Sequence, residues 1–166
     1  PKIQKGIEDL YSVTDTITSQ GFKPGTIGYH IEKDIMDDMA SIFEGDEEDE
    51  MWIIKRIRTA DKTPMVYCQD HLPTGLVSEK PELLKDGESL FELLENKYVI
   101  NISYAVTKIK PLSAPEWLSE KLGIKEKTPV LLLEQKHYDQ SDRMILYSKN
   151  YFRNEFEFHV IRRRSL

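Results

Sequence analysis

Arg56 and Arg58 stand two residues apart in the segment MWIIKRIRTA (51–60). Alternate residues of an extended chain share a face, so both guanidiniums line up with Trp52 and Ile54. A cation buried among large apolar side chains is costly unless it is paired. An anion is therefore expected against these arginines. The acidic run Asp46-Glu47-Glu48-Asp49-Glu50, which also reads as a solvated loop, could supply it from the protein itself. A ligand phosphate or carboxylate could equally supply it, since a guanidinium offers a planar fork for bidentate contact. The residue pattern leaves both readings open: a structural ion pair or wet sheet face, or an anion-binding site.

Ser12, Thr14 and Thr16 fall at the start of a helical stretch, where free N–H groups favour an anion. Ser89 precedes a second such stretch. Each of these residues also reads as a plain N-cap. The remaining candidates carry less. His30, His71, His137 and His159 have none of the spacings of a zinc site and read as strand-packing or surface residues. Cys68 lies mid-strand with no base near it in sequence, as expected of a buried, inert thiol. Tyr104, Tyr147 and Tyr151 could line a pocket or simply pack. Arg162, Arg163 and Arg164 read as a solubilising end, with DNA contact as the alternative. A Gly-rich phosphate loop, a nucleophile elbow and an HExxH motif are all missing. No catalytic residue, cofactor or metal is therefore expected.

The composition agrees with a binding module. The chain has 166 residues, 39% apolar and 31% charged, which suits one soluble globular domain. Its 23 basic and 29 acidic residues leave a net charge of −6. That is the wrong sign for a chain whose own surface holds nucleic-acid backbones. A single cysteine excludes an intramolecular disulfide and fits a reducing cytoplasm. No apolar run approaches the roughly 18 residues of a membrane helix, so no membrane partner is expected. The chain starts at Pro1 rather than Met, which is the expectation for a piece of a longer protein.

Period and punctuation give the elements that position the arginines. A short amphipathic helix is expected over 9–20, a strand over 26–32 and a helix over 33–43. Two strands, 51–60 and 65–72, form a hairpin around Asp61-Lys62-Thr63-Pro64. A helix over 89–98 presents Leu90, Leu93 and Leu94 on one face. A strand over 99–109 is ended by Pro111. A helix over 114–124 buries Trp117, Leu118 and Leu122. A second hairpin, 130–139 and 144–152, precedes a final strand over 156–164. The two hairpins can be laid side by side, Asp61 on Asp139 and Tyr67 on Tyr147, as a loose internal repeat of about 80 residues. The expected fold class is α+β, a mostly antiparallel sheet flanked by helices, with an internal pseudo-repeat of hairpins.

Four segments, in order over residues 10–160, carry a family resemblance. SVTDTITSQGFKPGT resembles the "S-F-T-E-x-M-x-x-x-G-x-x-P" opening of UTRA domains, the effector-binding domains of GntR-family, HutC-subfamily bacterial transcription regulators. WIIKRIRTADKTPMVYCQDHLP resembles that family's "R-x-R-x-A-D-G-x-P" block, and ESLFELLENKY its "S-L-Y-x-x-L" helix. YDQSDRMILYSKNYFRNEFEFHV resembles its closing "D-x-x-G-x-P … Y-R-x-D-x-F-x-F" block. ISYA (102–105) and the RIR block are similar to trehalose operon repressors within the family.

The resemblance implies a chorismate-lyase-like fold with a small-molecule pocket over 10–166. It implies a winged helix-turn-helix domain before residues 1–9, which would be the linker. It implies a homodimeric repressor that reaches operator DNA only through that missing domain. In relatives that bind phosphosugars the matching positions contact the ligand. Here they are Ser12, Thr14, Arg56, Arg58 and Ser89, and Tyr104 is a further candidate for the pocket. Four positions depart from the pattern: an acidic residue is replaced by Cys68 and another by Leu146, and a Tyr is replaced by Phe91 and by Phe152. The implied effector is anionic, with a sugar phosphate favoured. A chorismate-lyase-like enzyme on the same fold and a plain dimerisation module with a closed pocket are the alternatives.

Overall fold

A computed structural model describes residues 6–81 and 88–165. The first half of the chain runs α1 (Val13–Ser19), β1 (Pro24–Ile35), a 3-10 turn (Asp37–Met39), α2 (Ala40–Phe43), β2 (Glu50–Ala60) and β3 (Thr63–Pro73). The second half runs α3 (Leu90–Lys97), β4 (Tyr104–Ser113), α4 (Glu116–Leu122), β5 (Pro129–Tyr138) and β6 (Met144–Arg153). Corresponding elements begin about 80 residues apart, so the repeat covers the helices as well as the hairpins.

The six strands form one antiparallel sheet in the order β1-β2-β3-β6-β5-β4. Two three-stranded meanders thus meet edge to edge at β3 and β6, related by an approximate two-fold. Cys68 faces Asn150 across that seam, and Asp70 faces Ser148. The expected fold class, an antiparallel sheet flanked by helices with a repeat of hairpins, is the observed one.

Helices cover both faces. On one side, α3 packs Leu90, Leu93 and Leu94 over Trp52, Ile54, Leu72 and Leu146. Beside it, Ile17 of α1 packs over Val66, Cys68, Leu133 and Phe152. On the other side, Leu118 and Leu122 of α4 cover Tyr67 and Val130, while Ala40 of α2 covers Met51 and Ile53. The central strands are therefore apolar on both faces, which is why MWIIKRIRTA carries no simple alternation.

Several expected boundaries move, each for a physical reason. Residues 33–35 continue β1, paired to Trp52, Met51 and Glu50, so the helix expected over 33–43 shrinks to the 3-10 turn and α2. Cross-strand pairing outweighs a weak helical period there. β4 runs through Pro111, because it is an edge strand and one side of its ladder needs no donor. Trp117 is 44% exposed and sits edge-on to Tyr67 and Tyr151 rather than in the core. Residues 156–164 form no strand; Phe156 and Phe158 instead pack on Phe152.

Leu94 is fully buried beneath α3. Leu94→Ala is expected to lower unfolding free energy by about 2–5 kcal/mol in urea denaturation. Trp117→Ala, losing only edge contacts at the surface, is expected to cost about 1 kcal/mol in the same assay.

Candidate functional site

The sheet face beneath α1 and α3 carries a polar patch between two apolar clusters. Its rows follow from the register: Arg56, Cys68, Asn150 and Leu133 in one, Ile54, Asp70, Ser148, Gln135 and Thr107 in the next. His137 is paired with Leu146 one step further along. Arg56, Arg58, Asp70, His137, Ser148 and Asn150 are all buried.

Arg56 is 3% exposed and reaches one protein anion, with Nη2 lying 3.4 Å from Asp70 Oδ2. That contact is long for a charge-assisted bond. Asp70 Oδ1 accepts a shorter one, 2.6 Å, from the Ser148 hydroxyl. Nε and Nη1 of Arg56 are buried without a hydrogen-bond partner. Arg58 is fully buried and differently held. Its Nε donates to the Gly25 carbonyl at 3.1 Å and its Nη2 to Thr14 Oγ1 at 2.9 Å. Arg58 thereby ties the start of α1 to β1.

A cavity of about 20 Å³ lies among Ser12, Arg56, Arg58, Phe91, His137 and Asn150. Arg56, Arg58 and Asp70 are the charged residues on its wall, a net positive spot in an acidic chain. It adjoins an open groove of about 880 Å³ that runs along α1. Tyr11, Val13, Gln135 and Asn150 line both spaces. The inner cavity has room for a water-sized guest; anything larger extends into the groove.

The six sequence candidates divide. Ser12, Arg56 and Arg58 line the cavity, and Thr14 joins them through its bond to Arg58. Ser12 Oγ accepts from Asp15 N at 3.1 Å as the N-cap of α1. Ser89 caps α3, accepting from Phe91 N and Glu92 N, while Leu90 and Phe91 reach the cavity wall. Tyr104 is not brought to the cavity. It lies on the edge strand, 40% exposed, stacked on Tyr138 with its hydroxyl donating to Asp142 at 2.7 Å. Asp70, Gln135, His137, Ser148 and Asn150 are wall residues that sequence reasoning missed. Their sequence signal was the i, i+2 spacing of polar residues on strands, at 135 and 137 and again at 148 and 150.

The titration states follow from burial. Desolvation pushes the Cys68 thiol up to about 12, so it stays protonated and inert. Burial pulls both His71 and His137 down to about 4. His71 sits on the opposite sheet face from His137, beside Gln69 and Tyr147. Among the described residues, no group of three or more His, Cys, Asp or Glu is placed to hold a metal ion.

Family comparison agrees with this architecture. The UTRA domain profile matches residues 19–156. This chain belongs to the UTRA domain family. The HTH-type transcriptional repressor NagR of Bacillus subtilis strain 168 is 28% identical over 93% of the chain, which spans 64% of that relative. The mannosyl-D-glycerate transport/metabolism system repressor MngR of Escherichia coli K12 is 25% identical over 70% of the chain and 49% of its own length. The chain thus spans less than two thirds of these curated relatives. The effector domain of PhnF from Mycobacterium smegmatis superposes with a TM-score of 0.82 at 21% identity, covering 93% of this chain and 95% of that one. These UTRA relatives are GntR-family transcriptional regulators. No helix among the described residues is long and apolar enough to cross a membrane.

Two outcomes are expected from this geometry. Asp70→Ala leaves Arg56 without its anion and should cost about 3–5 kcal/mol in urea denaturation, whereas Arg56→Met with Asp70→Leu, which removes both charges, should recover most of it. The pH dependence has a definite sign. His71 and His137 are neutral when folded, with pKa about 4 against an ordinary 6.5. Below 6.5 the unfolded chain binds more protons, so stability is complete above that pH and is lost progressively as pH falls towards 4. Melting temperature across that range measures the loss, and His137→Phe should reduce the slope.

Proposed function

We propose that this UTRA domain is the effector-sensing and dimerisation part of a GntR/HutC-type repressor. A small anionic effector, a sugar phosphate in the favoured case, binds with its charge at Arg56 and its body in the groove along α1. The observation that carries this reading is the incomplete hydrogen-bond set of Arg56. Two of its buried nitrogens point to no protein acceptor, and its single carboxylate partner stands 3.4 Å away. An anion in the adjoining cavity would complete that set. Ser12, Thr14 and Arg58 form the α1 side of the site, and Ser89 holds the α3 side through its cap. In the full-length protein, residues 1–9 lead to the winged helix-turn-helix domain that contacts operator DNA in the cytoplasm. The relatives named as repressors support that arrangement.

Arg58 and Thr14 supply a physical route from ligand to DNA. They fasten the start of α1, and the chain before α1 leads towards the proposed linker. An effector that displaces α1 alters where that linker leaves the sheet. Regulation then requires only that the effector bind one arrangement of the dimer more tightly than the other. Dimerisation itself is supported by two open sheet edges, where Ile27 and Ile35 on β1 and Val106 and Ile109 on β4 are exposed. For the alternative of an enzyme on this fold, the Cys68 thiol beside Arg56 offers no nucleophile, since burial holds it protonated.

A thermal-shift screen of sugar phosphates, nucleotides and organic acids is expected to find a ligand that raises the melting temperature, because binding to the native state alone stabilises it. By calorimetry, that ligand should bind the Arg56→Met/Asp70→Leu protein about 10- to 100-fold more weakly, the loss of one or two charge-assisted bonds. Unchanged affinity would remove Arg56 from the site. Light scattering should give twice the 19.4 kDa chain mass, and a monomer would remove the dimer from the reading.

A further inference from the structure

The open groove along α1 has the opposite charge from the cavity it adjoins. Five of its wall residues are carboxylates: Glu8, Asp9, Asp15, Glu155 and Glu157. All five are exposed. Among the described residues, that wall holds no lysine or arginine. Arg153, from outside it, pairs with Glu155. The other four carboxylates thus stand around one hollow without a lysine or arginine partner among the described residues. Like charges gathered in this way focus a negative potential on the groove.

Beneath that rim the wall is apolar at Leu133, Phe152 and Phe158. Asn150 also lies there, 4% exposed, and its Oδ1 has no hydrogen-bond partner. A segment that fits such a groove carries cationic donors for the rim and apolar side chains for the interior.

The chain brings a segment of that kind to the edge of the groove. Phe156 and Phe158 pack on Phe152, and the His159 carbonyl accepts from the Ile7 N–H. His159 is itself a wall residue, so the chain leaves the groove there. Val160, Ile161, Arg162, Arg163 and Arg164 follow directly. Val160 and Ile161 are 52% and 42% exposed. The three arginines are exposed as well, with no ion pair among the described residues. Three residues of extended chain span about 10 Å, so the first guanidinium starts within reach of the rim. We propose that residues 160–164 are a basic strap that closes over the acidic groove, setting its guanidiniums against Glu8, Asp9, Asp15 and Glu157 and covering Val160 and Ile161. Single exposed ion pairs are weak, but a strap on the same chain meets the groove at high effective concentration. Any guest of the groove must displace it, and the guest's apparent affinity falls with the fraction of chains that are open.

Trypsin cuts after arginine and so reads the strap directly. The unmodified chain is digested briefly at low salt, and loss of the residues beyond Arg162 is followed by intact mass, beside a free peptide of residues 156–166. A closed strap should slow this cleavage about three- to tenfold relative to the peptide, since proteolysis tracks the open population. Glu8→Gln with Asp9→Asn changes two exposed side chains and adds no tryptic site. That variant should lose most of the protection. So should the unmodified chain in about 1 M salt, where the Debye length is about 3 Å. The protection should hold across about a hundredfold dilution of the chain, as an intramolecular contact requires. Protection lost on dilution assigns the arginines to the groove of a second copy and overturns the strap. Cleavage as fast as in the peptide, or protection indifferent to salt and to the Glu8→Gln/Asp9→Asn variant, overturns it too.

Discussion

A positive charge with too few partners organises this domain. Arg56 is buried on β2, one strand from the central seam, between the cluster under α3 and the cluster under α1. An interior this apolar tolerates a guanidinium only when anions and acceptors surround it. Asp70 supplies one contact, at 3.4 Å, and is itself held more tightly by Ser148 than by the arginine. The rest of the guanidinium faces a cavity instead of a carbonyl or a carboxylate. The protein therefore keeps hydrogen-bonding capacity in its core that its own chain does not use. Arg58 makes the contrast plain, since it stands two residues away on the same face and is committed to Gly25 and Thr14.

The internal repeat explains how such a spot arises. Two copies of an αβαββ unit meet through β3 and β6, so their third strands share the middle of the sheet. Each copy brings a small or polar side chain to the same two strand positions, Cys68 and Asp70 in one, Ser148 and Asn150 in the other. Antiparallel pairing sets Cys68 against Asn150 and Asp70 against Ser148. The polar residues of both copies are thus collected at the seam, where α1 and α3 approach from opposite sides and leave a gap. The site belongs to neither copy. The two copies then differ in charge, because Arg56 and Arg58 lie on β2 while the corresponding strand β5 offers Gln135 and His137 to the same wall.

The expected elements were legible where local and tertiary preferences agree. Both hairpins, the leucine face of α3 and the cap at Ser12 come from short-range pattern, and the structure keeps them. Boundaries moved where pairing across the sheet overrode local preference, as at 33–35 and Pro111. Trp117 shows a different limit: its place in the helical stripe suggests burial, but α4 is short and its aromatic lies at the rim over Tyr67 and Tyr151. The aromatic residues of 156–164 alternate like a strand, yet both edges of the sheet lie far from where β6 ends, at its centre, so they pack as side chains without joining a ladder.

By itself the sequence determined the α+β class, the doubling of the hairpins, the shared face of Arg56 and Arg58, and the family, because these depend on residue type and spacing along one strand or helix. It could not distinguish the two arginines, because their difference lies in partners 14 and 44 residues distant, Asp70 for one and Thr14 for the other. Nor could it join His137 and Asn150 to them. Those residues look like ordinary strand positions until the register of β3, β5 and β6 sets them around one cavity. Hydrogen-bond satisfaction is a property of the assembled interior, so which polar atoms are left without a partner was decided only when the two halves closed on each other.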